Sequence, residues 1–326
     1  MKSEATAVKV KVPKNRYIEG RHGAFFHNLR ADILRNRLCY LLFLPILIYF
    51  IIFHYLPIFG VLIAFEDFKP RLGILHSPWV GWKNFETFFH SIYFGRLFSN
   101  TLILSLLDIV FCFPAPIIFA LLLNEVRHKG FKKTVQTISY MPYFLSSVVV
   151  CSIFMDFCRA GGVYSVIAEK LTGQTNVTLI GNPDTFRLVY ILLNLWQGFG
   201  YGSIIYMSTL SYIDSQLYEA AALDGASRWQ QTIHVTLPGL KNIILFSFLM
   251  RISSILSVSV DKILLLYSPA TYKTADVLGT YIYRVGIAGG QYGLTAAVGL
   301  LNSVIGFLLL IISNRISRKF AEFSLF

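Results

Sequence analysis

Along the chain, apolar runs of membrane-crossing length alternate with polar connections. A spanning helix needs about 20 predominantly apolar residues, and six segments reach that length. Residues 38–65 and 292–313 carry no Asp, Glu, Lys or Arg. The other four carry few: Asp108 in 100–123, Asp156 in 134–157, Arg187 in 186–213, and Arg251, Asp261 and Lys262 in 242–267. Backbone polar groups in lipid must be paired within the segment, which helices do. Strands of a barrel would alternate polar and apolar with period two, and these runs do not. Phe113-Pro114-Ala115-Pro116 predicts a break in the second segment. Pro238 is expected to stop the helical pattern ahead of the fifth. The chain therefore reads as an all-α integral membrane protein with six transmembrane helices.

Composition supports this reading. Of 326 residues only 14% are charged, against about 25% in ordinary soluble domains, and mean hydropathy is +0.59. That weighs heavily against a soluble globular enzyme. The 28 Phe and 18 Tyr exclude a disordered chain, since they give ample surface to bury. Cys39, Cys112, Cys151 and Cys158 form no C-x-x-C pair and suggest neither a disulfide framework nor a metal site. The first 37 residues are polar, and the apolar run that follows is too long for a cleaved signal segment.

The net charge of +12 would suggest nucleic acid in a soluble protein, but no nucleic-acid-binding pattern accompanies it. Its placement is informative instead. With six spans, 18 Lys and Arg fall on the side of the two termini and eight on the other. Positive-inside then puts both termini in the cytoplasm. The expected parts are a basic cytoplasmic tail (1–37), a first transmembrane helix (38–65), an aromatic extracytoplasmic loop (66–99), a five-helix core (100–313) with a cytoplasmic loop at 214–240, and a C-terminal tail (314–326). The basic tail sets topology and touches anionic membrane lipid. In the aromatic loop Trp82, Phe85 and Phe89 fall at helical spacing near Trp79, Phe88, Tyr93 and Phe94. A helix anchored in the membrane interface has this pattern; contact with a partner or substrate is the alternative.

No G-x-x-x-x-G-K-[ST] occurs, so the chain has no P-loop, and no H-E-x-x-H occurs among its seven His. Gly198 and Gly202 make a G-x-x-x-G, expected to let helices approach closely. Polar positions inside spans are costly and therefore informative. Tyr190, Asn194, Gln197, Tyr201 and Ser208 share one face of the fourth span. On a continuous fifth helix Arg251, Ser254, Ser257 and Asp261 share about a third of the circumference. Thr295, Gly299, Asn302 and Gly306 form a stripe on the sixth. Interhelical packing and a water-filled route for a polar solute both fit these stripes. Asn194, Gln197, Tyr201, Arg251, Ser254, Asp261 and Asn302 are the candidate pathway residues. Amide, hydroxyl and aromatic groups suit a sugar, and Arg251 suits either an acidic solute or an acid on a neighbouring span.

The stretch 214–240 reads as a structured helix pair. Asp214 or Ser215 caps a first helix, Asp224-Gly225 makes a turn, and Ser227 with Gln230 in capping-box position starts a second. Ala220–Ala222 give a slim face able to enter a groove on another protein.

Glu219-Ala220-Ala221, Gly225 and Leu237-Pro238 resemble the EAA loop of bacterial ABC importer permeases, E-A-A-x-x-x-G, nine residues, then I-x-L-P, with Val235 at the Ile position. Tyr55–Gly60, Ala64–Phe68 and Ser77–Phe85 are similar to the carbohydrate-uptake branch, related to the maltose permeases and nearest the oligosaccharide and polysaccharide permeases that include the alginate importer. The resemblance implies a type I importer permease fold in the bacterial cytoplasmic (inner) membrane. It implies that Glu219, Ala220, Ala221, Asp224, Gly225, Leu237 and Pro238 couple the spans to an ATPase. It also implies alternating-access import of an oligosaccharide or polysaccharide, an acidic one such as alginate among the options. The implied partners are a second permease, two ATPase subunits and an extracytoplasmic solute-binding protein. ATP and Mg belong to the ATPases, so this chain is not an enzyme and has no cofactor of its own. Another polar solute, or an ion-coupled secondary carrier, is the alternative. A secondary carrier would need paired intramembrane acids, which the sequence does not show for Asp108, Asp156 and Asp261. A membrane-embedded enzyme would need a catalytic cluster, and none is visible.

Overall fold

The computed structural model describes residues 32–321 apart from 34, 174 and 176. Most of the basic tail, and the end of the C-terminal tail from residue 322, lie outside the described residues. The described secondary structure is helical, with a single isolated antiparallel bridge between Glu66 and Trp79. The chain divides into two compact units, Met1–Gly60 and Val61–Phe326. In the first, helix α1 starts at Arg37, and none of its residues to Ile58 is buried. Six helical stretches are long and apolar enough to cross a membrane: Arg37–Phe65, Phe94–Glu125, Ser147–Thr172, Pro183–Leu210, Arg228–Ser253 and Tyr292–Lys319.

In the second unit, α2 (Lys83–Phe89) is the helix expected in the aromatic loop. It has two different faces. Phe85 and Phe88 are buried against Ala297 and Val298 of the last span, while Phe89 is exposed, as are Trp79 and Trp82 just ahead of the helix. The helix is thus half core and half available to an interface.

Two expectations about proline are corrected. The second span, α3, runs without interruption over Phe94–Glu125, through Pro114 and Pro116. The fifth, α4, runs over Arg228–Ser253, through Pro238. Proline lacks an N–H and its ring collides with the carbonyl four residues back. In both helices the turn before the proline is widened to π-helical geometry, at Asp108–Cys112 and Thr232–Thr236. Longer i→i+5 bonding moves the offending carbonyl away. The same device precedes Pro57 in α1, at Ile51–Tyr55. In all three cases one residue separates the π turn from the proline.

The third and fifth segments differ from expectation at their breaks. Helix α5 (Lys129–Tyr140) ends in a 3-10 turn at Met141–Phe144, and α6 (Ser147–Cys158) starts anew with the Ser146 hydroxyl capping the Val149 N–H. The expected span 134–157 is therefore two helices meeting at Pro142. Likewise α4 ends at Ser253, and a non-helical link at 254–259 leads to α7 (Val260–Leu266). The main core packs α6, α7 and α8 (Pro183–Gly202) around Leu104, with Phe154, Phe186, Leu193, Ile263 and Val277 buried in it.

Of the two glycines in the G-x-x-x-G spacing only Gly202 makes a close approach, and a third glycine between them makes a closer one. Gly198 has open space where a Cβ would be, and Gly202 sits against Pro116. Gly200 is the tight one: a Cβ there would lie 2.0 Å from the Ser139 carbonyl oxygen, so α5 and α8 touch backbone to backbone.

Candidate functional site

Polar residues from four helical elements meet inside the second unit. Asp108, at the π turn of α3, forms an ion pair with Arg251 near the end of α4. Asn194 on α8 accepts a hydrogen bond from the Lys262 ammonium of α7 at 2.7 Å. Tyr190, one turn earlier on α8, accepts from the Ser259 N–H at 3.1 Å, in the non-helical link. These groups line two adjoining spaces. A cavity of about 370 Å³ is bounded by Asp108, Asn194, Phe199, Tyr206, Arg251 and Lys262, among others. A smaller one of about 50 Å³ is bounded by Ser105, Asp108, Tyr190, Arg251, Ser254 and Ser257.

The structure splits the expected pathway residues. Asn194, Arg251 and Ser254 come together here, although the Ser254 hydroxyl is spent on the Met250 and Arg251 carbonyls. Because the helix stops at Ser253, a continuous fifth-span face does not exist: Asp261 leaves the group and accepts from the Ser147 hydroxyl. The fourth-span face also divides. Gln197 is buried and its amide donates to the Leu145 carbonyl at 3.2 Å, leaving its own oxygen without a partner. Tyr201 stacks on Tyr143 with ring centroids 3.8 Å apart. Both therefore hold the 3-10 turn after α5 and do not line the cavity. Asn302 is half-buried with a buried, unpartnered amide oxygen, outside both cavities. Lys262, Tyr190 and Ser259 were not among the expected pathway residues. The three acids Asp108, Asp156 and Asp261 each engage Arg or Ser, with Asp156 meeting Arg159 at 3.4 Å. None meets another acid.

The caps and the turn expected in the loop at 214–240 form, but its second helix continues through Pro238 as the fifth span. The Asp214 carboxylate accepts from the Gln216 N–H and caps α9 (Ser215–Leu223). Gly225 has φ +80, a region that costs an L-residue about 1–2 kcal/mol. Its N–H donates to the Ala222 carbonyl, and the Ala226 N–H reaches back to Ala221 at 2.9 Å. This pair of bonds around a left-handed glycine is the Schellman closure of a helix C-terminus. Ser227 and Gln230 form a reciprocal capping box that starts α4. Tyr218 and Thr236 join the two helices by a hydroxyl–hydroxyl contact of 3.0 Å, and Arg228 meets Glu125 at the end of α3 at 3.7 Å. Glu219, Ala220, Asp224, Gly225 and Pro238 are exposed, while Ala221 and Leu237 are half-buried. Leu217, Leu223 and Trp229 are exposed too, so this rigid turn presents apolar side chains with nothing packed over them.

A third polar group went unread in the sequence. Asp276 is fully buried and receives both guanidinium nitrogens of Arg284 at 3.1 and 2.9 Å, Arg96 at 3.1 Å and the Thr280 hydroxyl at 2.9 Å. Its hydrogen bonds to the Asp276 carboxylate, the largest influence on it, hold Arg284 above its ordinary pKa. The Asn100 amide adds bonds to the Lys273 and Asp276 carbonyls and accepts from Arg187. The cluster fastens the segment 268–291 to α3 and α8.

Residues 92–322 match the family model described as the binding-protein-dependent transport system inner membrane component. The chain is 39% identical over 295 residues to the polygalacturonan/rhamnogalacturonan transport system permease protein YteP of Bacillus subtilis (strain 168), covering 90% of this chain and 92% of that protein. It is similar to a chain in the crystal structure of a bacterial ABC transporter involved in the import of the acidic polysaccharide alginate, with TM-score 0.82 and 39% identity over 90% of this chain and 99% of that one. A structure of a bacterial alginate ABC transporter in complex with an alginate pentasaccharide-bound periplasmic protein matches with TM-score 0.82 and 38% identity over the same shares. The matched region contains every helix that builds the cavity and the turn, and the chain belongs to this family: it is an inner-membrane permease component of an ABC importer.

Proposed function

We propose that this permease forms half of the translocation pathway for an oligosaccharide or polysaccharide, with an acidic glycan the best fit, and that the turn at 214–240 couples it to an ATPase. The observation that carries the coupling is the turn itself. It is closed by a Schellman motif on one side and a capping box on the other, and it leaves Leu217, Leu223 and Trp229 bare. A segment that rigid and that apolar suits insertion into a partner's cleft, with Glu219, Ala220, Ala221, Asp224, Gly225, Leu237 and Pro238 in or beside the contact. ATP and Mg then belong to two separate ATPase subunits. The remaining partners are a second permease and an extracytoplasmic binding protein that delivers the solute. The excess of Lys and Arg on one side supports cytoplasmic termini and a cytoplasmic coupling turn.

The carbohydrate reading is supported by the named specificities of the similar transporters and by the cavity. A sugar hydroxyl stranded in an apolar medium costs several kcal/mol, and Asn194, Ser247, Ser259 and Arg251 line a space inside the spans. Alternating access would expose this space to one side of the membrane at a time, with Asn194, Arg251 and Ser254 in the path. Asp261, Gln197 and Tyr201 support the surrounding helices.

The test is purification from the native host in mild detergent, followed by reconstitution. An ATPase, a second permease and a binding protein should co-purify, and uptake of an acidic oligosaccharide into proteoliposomes should require ATP. Recovery of the chain alone, with uptake driven by an ion gradient, would sink the proposal.

A further inference from the structure

We propose that Lys262 is the residue that recognises a carboxylate on the transported sugar, so that the cavity beside it selects an anionic saccharide over a neutral one of the same shape. This rests on the carbohydrate-permease reading above and names the group that sets its substrate class.

Three charged side chains line the larger cavity: Asp108, Arg251 and Lys262. Asp108 and Arg251 pair with each other and cancel. Lys262 is left over. Its ammonium donates to the neutral amide oxygen of Asn194 at 2.7 Å. Among the described residues, no ion pair joins it to a carboxylate. Its sequence neighbour Asp261 keeps its charge while accepting from the Ser147 hydroxyl, but it makes no ion pair with Lys262 and is not part of the cavity lining. An ammonium has three donors, so two remain after Asn194.

A cation enclosed among membrane spans is costly unless an anion or water meets it. The cavity wall thus carries one excess positive charge, and a carboxylate entering the cavity neutralises it. The other walls fit the rest of such a ligand. Ser247 and Ser259 bring hydroxyls, and Phe199 and Tyr206 bring aromatic side chains to the lining. The volume of about 370 Å³ lies within the range of ligand pockets. Asn194 positions the ammonium from the side without neutralising it, which leaves its charge for the ligand.

The test uses the whole transporter in proteoliposomes with its binding protein. The probes are a tetramer of galacturonate and its carboxyl-reduced, neutral form. Lys262→Met should raise the half-saturating concentration for the galacturonate tetramer about ten- to a hundred-fold, the loss expected for one hydrogen bond to a charged group. Lys262→Arg, which keeps the charge, should stay within about threefold of wild type. The unfolding temperature should not fall in either variant, since Lys262→Met removes a charge that is costly there and Lys262→Arg keeps it. Wild-type affinity in Lys262→Met, or equal loss in the Met and Arg variants, would overturn the assignment. So would uptake of the neutral tetramer alone by the wild type, which leaves the carbohydrate reading intact. Uptake of neither tetramer by the wild type would overturn both.

Discussion

Replacing Asp276 by Asn tests whether the buried cluster at the ends of α3 and α8 is a principal fastening of the second unit. The carboxylate is fully buried and accepts four hydrogen bonds, two from Arg284 and one each from Arg96 and Thr280. Asparagine removes the charge and turns one acceptor into a donor facing a guanidinium. Removing one partner of a buried ion pair typically costs about 3–5 kcal/mol. Here the two arginine side chains are 34% and 30% exposed, so water screens part of the orphaned charge, and the lower figure of about 3 kcal/mol applies. For a unit of this size each kcal/mol moves the midpoint by about 2–4 °C, so Tm should fall by about 6–12 °C. Thermal unfolding of the detergent-purified chain, followed by tryptophan fluorescence, reads this directly. Arg284→Lys, which keeps the charge but loses the two-pronged contact, should cost less than Asp276→Asn. A fall below about 2 °C for Asp276→Asn would refute the reasoning, since an ion pair that weak behaves like an exposed one.

Three further substitutions follow from the geometry. Gly225→Val places a β-branched residue at φ +80, costing about 1–2 kcal/mol locally; saccharide-stimulated ATPase activity should fall while membrane insertion is unchanged, and normal stimulation would count against the coupling role. Gly200→Ala drives a methyl to 2.0 Å from the Ser139 carbonyl and should cost about 1–3 kcal/mol or more, as overpacking does, seen as a lowered Tm. Asp108→Asn strands Arg251 in the cavity wall; uptake should drop, and Arg251→Met added to it should recover part of the lost Tm, whereas a further fall in the double variant would argue against a mutual pair.

Much of the fold was legible because its signals are local. Apolar run length finds the six membrane-capable stretches, and the Asp214 cap, the Asp224-Gly225 turn and the Ser227–Gln230 box are written within a few residues of each other. What escaped depends on partners far away in the chain. A helical wheel places Asn194 and Gln197 on one face, yet Lys262 meets the first and Leu145 the second, because two different elements pack on that face. Asp276 finds Arg96 across 180 positions, beyond any local pattern. The break at 254–259 has no glycine or proline to announce it. Ser253 and Ser254 return their hydroxyls to the carbonyls at the helix end, and Ser257 donates its N–H to Ser254; local bonds of this type compete with helical ones. The prolines misled in the opposite sense. A π turn absorbs Pro114 and Pro238, as one does Pro57, so the helix continues through the two prolines where a stop was expected.

Pro238 also bears on how the proposed coupling would work. Helix α4 starts at the capping box of Ser227 and ends just past Arg251, so one rod of 26 residues, roughly 39 Å at 1.5 Å per residue, joins the turn to the cavity wall. A displacement of the turn reaches Arg251 through that rod, less whatever the π segment at Thr232–Thr236 takes up by bending. π segments carry weaker bonding and recur at functional sites. Pro238→Ala restores the N–H and removes the ring, so the widened turn can tighten to α-helical geometry. Stability should hold or rise, because a missing backbone bond is supplied. Coupling should suffer, because the wider turn sets the angular register between the Gly225 turn and Arg251. The measurement pairs Tm with saccharide-stimulated ATPase activity in the reconstituted transporter. A higher or equal Tm with reduced stimulation is the expected outcome. Full stimulation at unchanged Tm would show that the register across the π segment is immaterial, and that Pro238 is tolerated in α4 and not used by it.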